Sequence, residues 1–221
     1  MYQEQYETAI SRSNIYQFIA RFFTKAPDEE FVTKVLQKET IDGIATIFSE
    51  ETARELIDFQ AEFGKIVSLK QLACEYWALF DVPGKQYLAP YESVYRRDSL
   101  DSEGQPVGLV YGPSTYEVIQ MYQQAGVKIA SAFLDLPDHV GMELEFLRFL
   151  CEKEAEAWQV SDAEKALKYL NWQRRFLQQH LATWIDTLCD KMSKIASSGF
   201  YRAAAMMTKE YIALDKKNIE E

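Results

Sequence analysis

The chain has 221 residues, of which 48% are hydrophobic and 14% aromatic, and it carries a formal net charge of −10. That length supports a sizeable buried core, and that composition excludes a disordered chain. The acidic balance disfavours nucleic acid and anionic membrane as partners and favours basic ones. No apolar run approaches the length of a membrane span. Met1 to Glu7 shows neither a basic nor an apolar leader region, so no secretory signal is visible. Cys74, Cys151 and Cys189 are far apart, odd in number and free of any C-x-x-C spacing, which suits buried reduced thiols.

Helical periodicity recurs along the whole chain. Residues 8–24 place Ile15, Phe18, Ile19, Phe22 and Phe23 on one face. Ala26-Pro27-Asp28 ends that helix, and Asp28 caps a second one carrying Phe31, Val32, Val35 and Leu36. Ile41, Ile44, Ile47 and Phe48 mark a third. Ser49-Glu50-Glu51 opens a fourth, with Ala53, Leu56, Ile57 and Phe63 inward and an end near Gly64. Val67 to Phe80 reads as a fifth.

Residues 81–113 form the one long irregular stretch. Asp81-Val82-Pro83-Gly84 is turn chemistry. Tyr87, Tyr91, Tyr95 and Tyr111 are expected to fold this stretch back onto the body. Arg96-Arg97 sits mid-chain and reads as a solvated pair. Ser114-Thr115-Tyr116-Glu117 then has the spacing of a capping box, and Gly126 suits a left-handed helix stop.

The stretch from Leu136 to Leu150 is the organising element. Pro137 fits a first helical turn and Asp138 fits its cap. Val140, Leu144, Leu147, Cys151 and Trp158 share one side, widened by Met142, Phe146, Phe149 and Leu150. The apolar arc is broad, as in a central helix. Ser161-Asp162-Ala163-Glu164 is a second capping box. It opens a periodic stretch with an expected break near Gln178-Gln179-His180. Ser197-Ser198-Gly199 separates the last helix, and Asp215 to Glu221 reads as a charged, frayed tail. The expected fold class is all-α, one domain over residues 1–221 with nine or ten helices and no sheet.

Chemistry is sparse. The chain has two histidines. Leu136 and Leu177 stand three residues before them, so the Glu-x-x-His pairs of a carboxylate metal bundle are missing. Clustered Cys and His for zinc are missing too, as are phosphate-binding glycine motifs and a recognisable nucleophile. No metal and no cofactor is expected. An enzyme using Asp138 and His139 stays open as an alternative, and so does a permanent subunit of a larger complex.

Four pieces together resemble the TorD/DmsD family of redox-enzyme maturation chaperones. They are Glu75-Tyr76-Trp77-Ala78-Leu79-Phe80, Pro90-Tyr91-Glu92-Ser93-Val94-Tyr95, Leu136-Pro137-Asp138-His139 followed by Glu143-Leu144-Glu145-Phe146, and Phe200-Tyr201-Arg202-Ala203-Ala204. The resemblance implies an all-helical, cytoplasmic, non-enzymatic chaperone. Its partner would be the precursor of a molybdopterin-containing reductase, bound through its twin-arginine leader or its body and held for cofactor insertion before export. By matched position, leader binding would fall to Tyr76, Leu79, Phe80, Pro90, Tyr91, Tyr95, Asp138 and His139. Two departures stand out. Asp135 takes a family Glu position with the proline displaced by one, and tyrosines stand where family members carry tryptophans. The long stretch from Ser161 to Ala196, hinged near His180, would also permit a homodimer by helix exchange.

Overall fold

The computed structural model describes residues 2–127 and 135–220. Among these, eleven α-helices account for almost all regular structure, in keeping with an all-α fold. They are α1 (Gln3–Thr24), α2 (Glu29–Val35), α3 (Lys38–Ile47), α4 (Glu50–Glu62), α5 (Leu69–Tyr76), α6 (Glu92–Arg96), α7 (Pro113–Gln124), α8 (Val140–Gln159), α9 (Ala163–Gln179), α10 (Ile185–Ile195) and α11 (Gly199–Glu220). A π-helical turn, Trp77–Asp81, continues α5, and a 3₁₀ turn, Leu181–Thr183, follows α9.

Ten of these helices answer to the sequence periodicity; α6 is the addition, formed inside the irregular stretch. The expectation of no sheet needs a small correction. A two-stranded antiparallel ribbon pairs β1 (Ser99–Leu100) with β2 (Pro106–Val107). Its turn is closed by Asp101, whose Oδ1 accepts from the N–H groups of Glu103 and Gln105 at 2.9 Å each. The expected break near His180 is present as the end of α9, and Gly126 has the left-handed φ of 83°.

The chain gathers into two compact units. The first holds residues 1–21, 91–185 and 215–221; the second holds residues 22–90 and 186–214.

In the first unit, α8 is central. Val140, Leu144, Leu147, Leu150 and Cys151 are fully buried. Its far end joins Ala155, Ala157 and Trp158 to Ala9 and Ala166, with Tyr2 and Tyr6 alongside. An ionic network lies next to this cluster. Asp215 accepts from Arg12 Nε at 2.6 Å and Nη2 at 3.0 Å, and from the Tyr16 hydroxyl at 2.5 Å. Glu154 accepts from Arg12 Nη1 at 3.3 Å, Gln173 Nε2 at 2.8 Å and Trp158 Nε1 at 3.0 Å. Among the described residues the tail is therefore not frayed, since Asp215 to Glu220 continue α11. Asp215 and Ile219 are buried, and the Ile219 carbonyl accepts from Arg174.

In the second unit, Phe22, Phe31, Phe59 and Phe200 meet in an aromatic cluster, with Phe22 centred 4.9 Å from both Phe31 and Phe200. Gly199 permits this approach: a Cβ there would lie 2.6 Å from the Glu55 carbonyl oxygen. Glu75 accepts from the N–H groups of Ser197 and Ser198 and so caps the start of α11.

Candidate site at the start of the central helix

The backbone of the Pro-Tyr-Glu-Ser stretch meets the start of α8 inside the first unit. Tyr91 and His139 form an antiparallel bridge, and the Glu92 N–H donates to the Asp138 carbonyl at 3.0 Å. This pairing fixes Asp138 against α6. Its Oδ2 accepts from the Ser93 N–H at 3.0 Å, whereas Oδ1, also buried, has no hydrogen-bond partner.

The expected capping scheme is corrected here. Asp138 does not cap its own helix, and Pro137 lies before the first helical turn. His139 is the N-cap: its Nδ1 accepts from the Gly141 N–H at 3.0 Å. An accepting Nδ1 leaves the proton on Nε2, which faces Asp135 Oδ2 at 3.6 Å. Burial lowers the His139 pKa below its ordinary 6.5, against the opposing pull of Asp135 and Asp138. His139 is thus a neutral cap near pH 7. The Tyr91 ring stands edge-on to it with centroids 5.6 Å apart, and the Tyr91 hydroxyl donates to Asp135 at 2.8 Å.

Two other caps also differ from the sequence reading. Ser114 does not cap α7; Gly112 is the N-cap, Pro113 occupies the first turn, and Asp98 accepts from the Ser114 N–H at 3.2 Å. Asp162, not Ser161, caps α9 through the Lys165 N–H.

One turn beyond His139, Glu143 is fully buried and accepts from Trp184 Nε1 at 3.1 Å. Burial first, and then Glu92 beside it, raise its pKa well above the ordinary carboxyl value. Glu92 is equally buried. Its carboxylate meets His180 Nδ1 at 3.0 and 3.1 Å and Arg96 Nη1 at 3.0 Å. Tyr95 stacks on Trp184 with centroids 5.4 Å apart. The aromatic stretch therefore folds back at Tyr91 and Tyr95, whereas Tyr111 pairs with Tyr116 and both stay exposed. Neither Glu92 nor Glu143 was chosen by the sequence reading. Glu92 lies inside a quoted motif, but a glutamate beside Pro-Tyr gives no sign that it will be buried.

The other expected site residues lie in the second unit. Tyr76, Leu79, Phe80 and Pro90 are buried. The Tyr76 hydroxyl donates to the Phe23 carbonyl at 3.0 Å, and Phe80 meets Phe23, Tyr76 and Tyr201 edge to face. The Leu88 N–H donates to the Leu79 carbonyl at 2.7 Å. These side chains support the π turn from within. Its outer side shows Trp77, 45% exposed, and Val82, 58% exposed. Both line an apolar cleft of about 360 Å³ with Cys74, Ala78, Pro83 and Lys85. The alternation of buried Tyr76 with exposed Trp77 follows from helical geometry, yet both residues look equally core-like in the sequence.

Among the described residues, no group of three or more His, Cys, Asp or Glu side chains converges to hold a metal ion, and no helix is long and apolar enough to cross a membrane. Cys151 and Cys189 are buried, and burial pushes both thiols up.

Comparison with known proteins gives a consistent result. The chain is 26% identical over 213 residues to the chaperone protein TorD of Shewanella pealeana, covering 95% of this chain and 90% of that protein. It is 27% identical over 209 residues to TorD of Shewanella loihica, covering 93% and 91%. It is 24% identical over 215 residues to TorD of a Vibrio cholerae strain, covering 95% and 92%. The resemblance to TorD seen in the four sequence pieces thus extends over nearly the whole chain. A family model described as nitrate reductase delta subunit matches residues 45–190, from α3 through α10 and including the whole start of α8, and the chain belongs to that family.

Proposed function

We propose that this protein is a cytoplasmic, non-enzymatic chaperone for the maturation of a molybdopterin-containing oxidoreductase, and that it binds the twin-arginine leader of that enzyme's precursor. The observation that carries the reading is likeness to proteins named chaperone protein TorD over about the full length of both chains. A leader presents two arginines followed by an apolar stretch. The Trp77–Val82 cleft offers exposed apolar surface to such a stretch. The half-exposed Glu117 near buried Glu92 and the partly exposed Asp135 beside His139 offer carboxylates to guanidinium groups, and the net charge of −10 favours encounter with a basic peptide. Tyr76, Leu79, Phe80 and Pro90 would act by shaping the π turn from inside, and Tyr91, Tyr95, Asp138 and His139 by holding α6 on the start of α8. A catalytic reading of Asp138 and His139 draws little support, because both are buried and engaged in capping backbone N–H groups.

The test is titration calorimetry with a synthetic twin-arginine leader at low and high salt, alongside affinity capture from native cytosol. Saturable binding weakened by salt, with co-purification of a leader-bearing reductase precursor, is the expected result. No binding to the leader, or a stoichiometric partner that lacks one, would overturn the reading in favour of a permanent subunit.

A further inference from the structure

Arg96 sits in a cage built by three separate parts of the first unit. Its Nη1 donates to Glu92 Oε1 at 3.0 Å, to the Gln179 carbonyl at 3.1 Å and to Glu117 Oε2 at 3.4 Å. Its Nε faces Asp98 Oδ2 at 3.7 Å. The Gln179 carbonyl is at the C-terminal end of α9, the negative end of that helix dipole. A single guanidinium therefore faces three carboxylates and a helix C-terminus, and His180 takes only a share of Glu92. Acids outnumber Arg96 within the cage itself, while Arg175 lines the cleft in front of it.

The cage opens onto a polar cleft of about 560 Å³, lined by Arg96, Glu117 and the glutamines Gln120, Gln124 and Gln178 among others. Glutamine side chains carry both donors and acceptors, which is what an extended peptide backbone needs. Arg96 is 28% exposed and reaches the cage from the cleft side on four rotatable bonds. The chain around it also has the form of the ligand under discussion. Arg96-Arg97 is an adjacent pair followed by exposed Leu100. Arg97 holds a left-handed φ of 54°, a region that non-glycine residues seldom adopt, and its Nη2 donates to the Pro106 carbonyl.

We propose that this cage is the seat for a client arginine, and that Arg96 is its resident occupant, an internal stand-in that an incoming leader displaces. The proposal rests on the leader-binding reading above. Exchange of one guanidinium for another conserves the ion pairs of buried Glu92, so displacement leaves no buried carboxylate uncompensated. The Arg96–Arg97 segment then relaxes toward solvent. Internal occupancy lowers the apparent affinity for every ligand and so favours clients that bring both arginines and an apolar stretch.

The experiment compares wild type, Arg96→Gln and Glu117→Gln, each checked for helicity, by calorimetry with a twin-arginine leader and its twin-lysine counterpart. If Arg96 fills the seat about nine-tenths of the time, Arg96→Gln tightens the twin-arginine leader about tenfold. The twin-lysine peptide gains less, because the fork of hydrogen bonds is lost. Glu117 is half-exposed at the rim, and Glu117→Gln weakens binding several-fold without unfolding the chain. A second arm needs no leader: ethylguanidinium raises the Tm of Arg96→Ala, ethylammonium does so less, and neither moves wild type. Leader binding to wild type that is neither tightened by Arg96→Gln nor weakened by Glu117→Gln overturns the proposal and leaves the chaperone reading intact. No leader binding by wild type removes that reading and the displacement with it, and absence of an ethylguanidinium effect overturns the seat itself. If Arg96→Gln does not fold, unchanged affinity in Glu117→Gln is the overturning result.

Discussion

Asp138 caps a helix through an N–H group 45 residues before it. Its carboxylate accepts the Ser93 N–H at 3.0 Å, while the neighbouring His139 imidazole caps the helix that Asp138 was expected to start. One dipeptide thereby serves the N-termini of two helices, α6 and α8. The short α6 has no capping side chain of its own at Tyr91.

That relationship sets the cost of removing the carboxylate. Asp138→Ala should destabilise the protein by about 2 kcal/mol, the sum expected for a lost charged cap on a buried N–H. Asp138→Asn should cost about 1 kcal/mol or less, since its amide oxygen can still accept from Ser93. Urea unfolding followed by circular dichroism gives both values. Equal losses for the two variants would show that the hydrogen bond to Ser93 contributes little.

The Arg12–Asp215 pair is buried on both sides, with side-chain exposures of 10% and 2%. Asp215→Ala leaves the buried Arg12 guanidinium with Glu154 at 3.3 Å but without its two shorter hydrogen bonds, and should cost about 3 kcal/mol. Replacing both members by apolar residues, Arg12→Met with Asp215→Leu, should recover most of that loss. The same unfolding measurement decides it. A tail free of the body would lose nothing on Asp215→Ala.

Stability should depend on pH through Glu143 and His139 with opposite signs. The folded-state pKa of Glu143 is raised, so the folded protein binds the extra proton. Its contribution is fully present below the ordinary carboxyl value of 4.5 and is lost as pH rises through the folded pKa. Glu143→Gln keeps a neutral, hydrogen-bonding side chain and should flatten that decline. The folded pKa of His139 is lowered below 6.5, so its contribution is present above 6.5 and is lost as pH falls through the folded value. Each group tilts the curve by at most about 1.4 kcal/mol per pH unit. Urea midpoints from pH 4 to pH 9, at fixed salt, would expose either sign as wrong.

Trp77 should matter for binding and little for folding. It is 45% exposed beside the Val82–Pro83 turn. Trp77→Ala should weaken leader affinity by about 1–3 kcal/mol, with a loss that added salt barely changes. The Tm should stay within a few degrees of wild type. Undiminished leader affinity would remove the cleft from the binding surface.

Gly199→Ala should destabilise the second unit. The added Cβ would fall 2.6 Å from the Glu55 carbonyl and 3.1 Å from Phe59 Cβ, and neither backbone nor a packed ring yields easily. A cost of about 1–3 kcal/mol is expected from such overpacking. An unchanged urea midpoint would mean that the start of α11 can move away from α4 freely.

The sequence by itself determined the elements. The 3.6-residue apolar spacing marks ten of the eleven helices, because each needs one continuous face against a core, and that requirement is written locally. Turn chemistry was equally local: Gly126 takes its left-handed stop, and Ser197-Ser198-Gly199 separates α10 from α11. The family likeness was legible for the same reason, since short motifs are contiguous. What the tertiary structure decided is the partnering of polar groups. A helix N-terminus needs an acceptor, but the acceptor can come from any part of the chain that folding brings near. So Asp98 serves α7, where Ser114 fits the local pattern but is not the cap, Asp138 serves α6, and at α11 the distant Glu75 joins the local cap Ser198. Burial follows the same logic. Nothing local marks Glu92, Glu143 or Asp215 for burial, and the guanidinium, imidazole and indole groups that reach them offset its cost. Apart from Arg96, one helical turn from Glu92, those partners lie 41 to 203 residues away, and no short window of sequence contains both ends of such a pair.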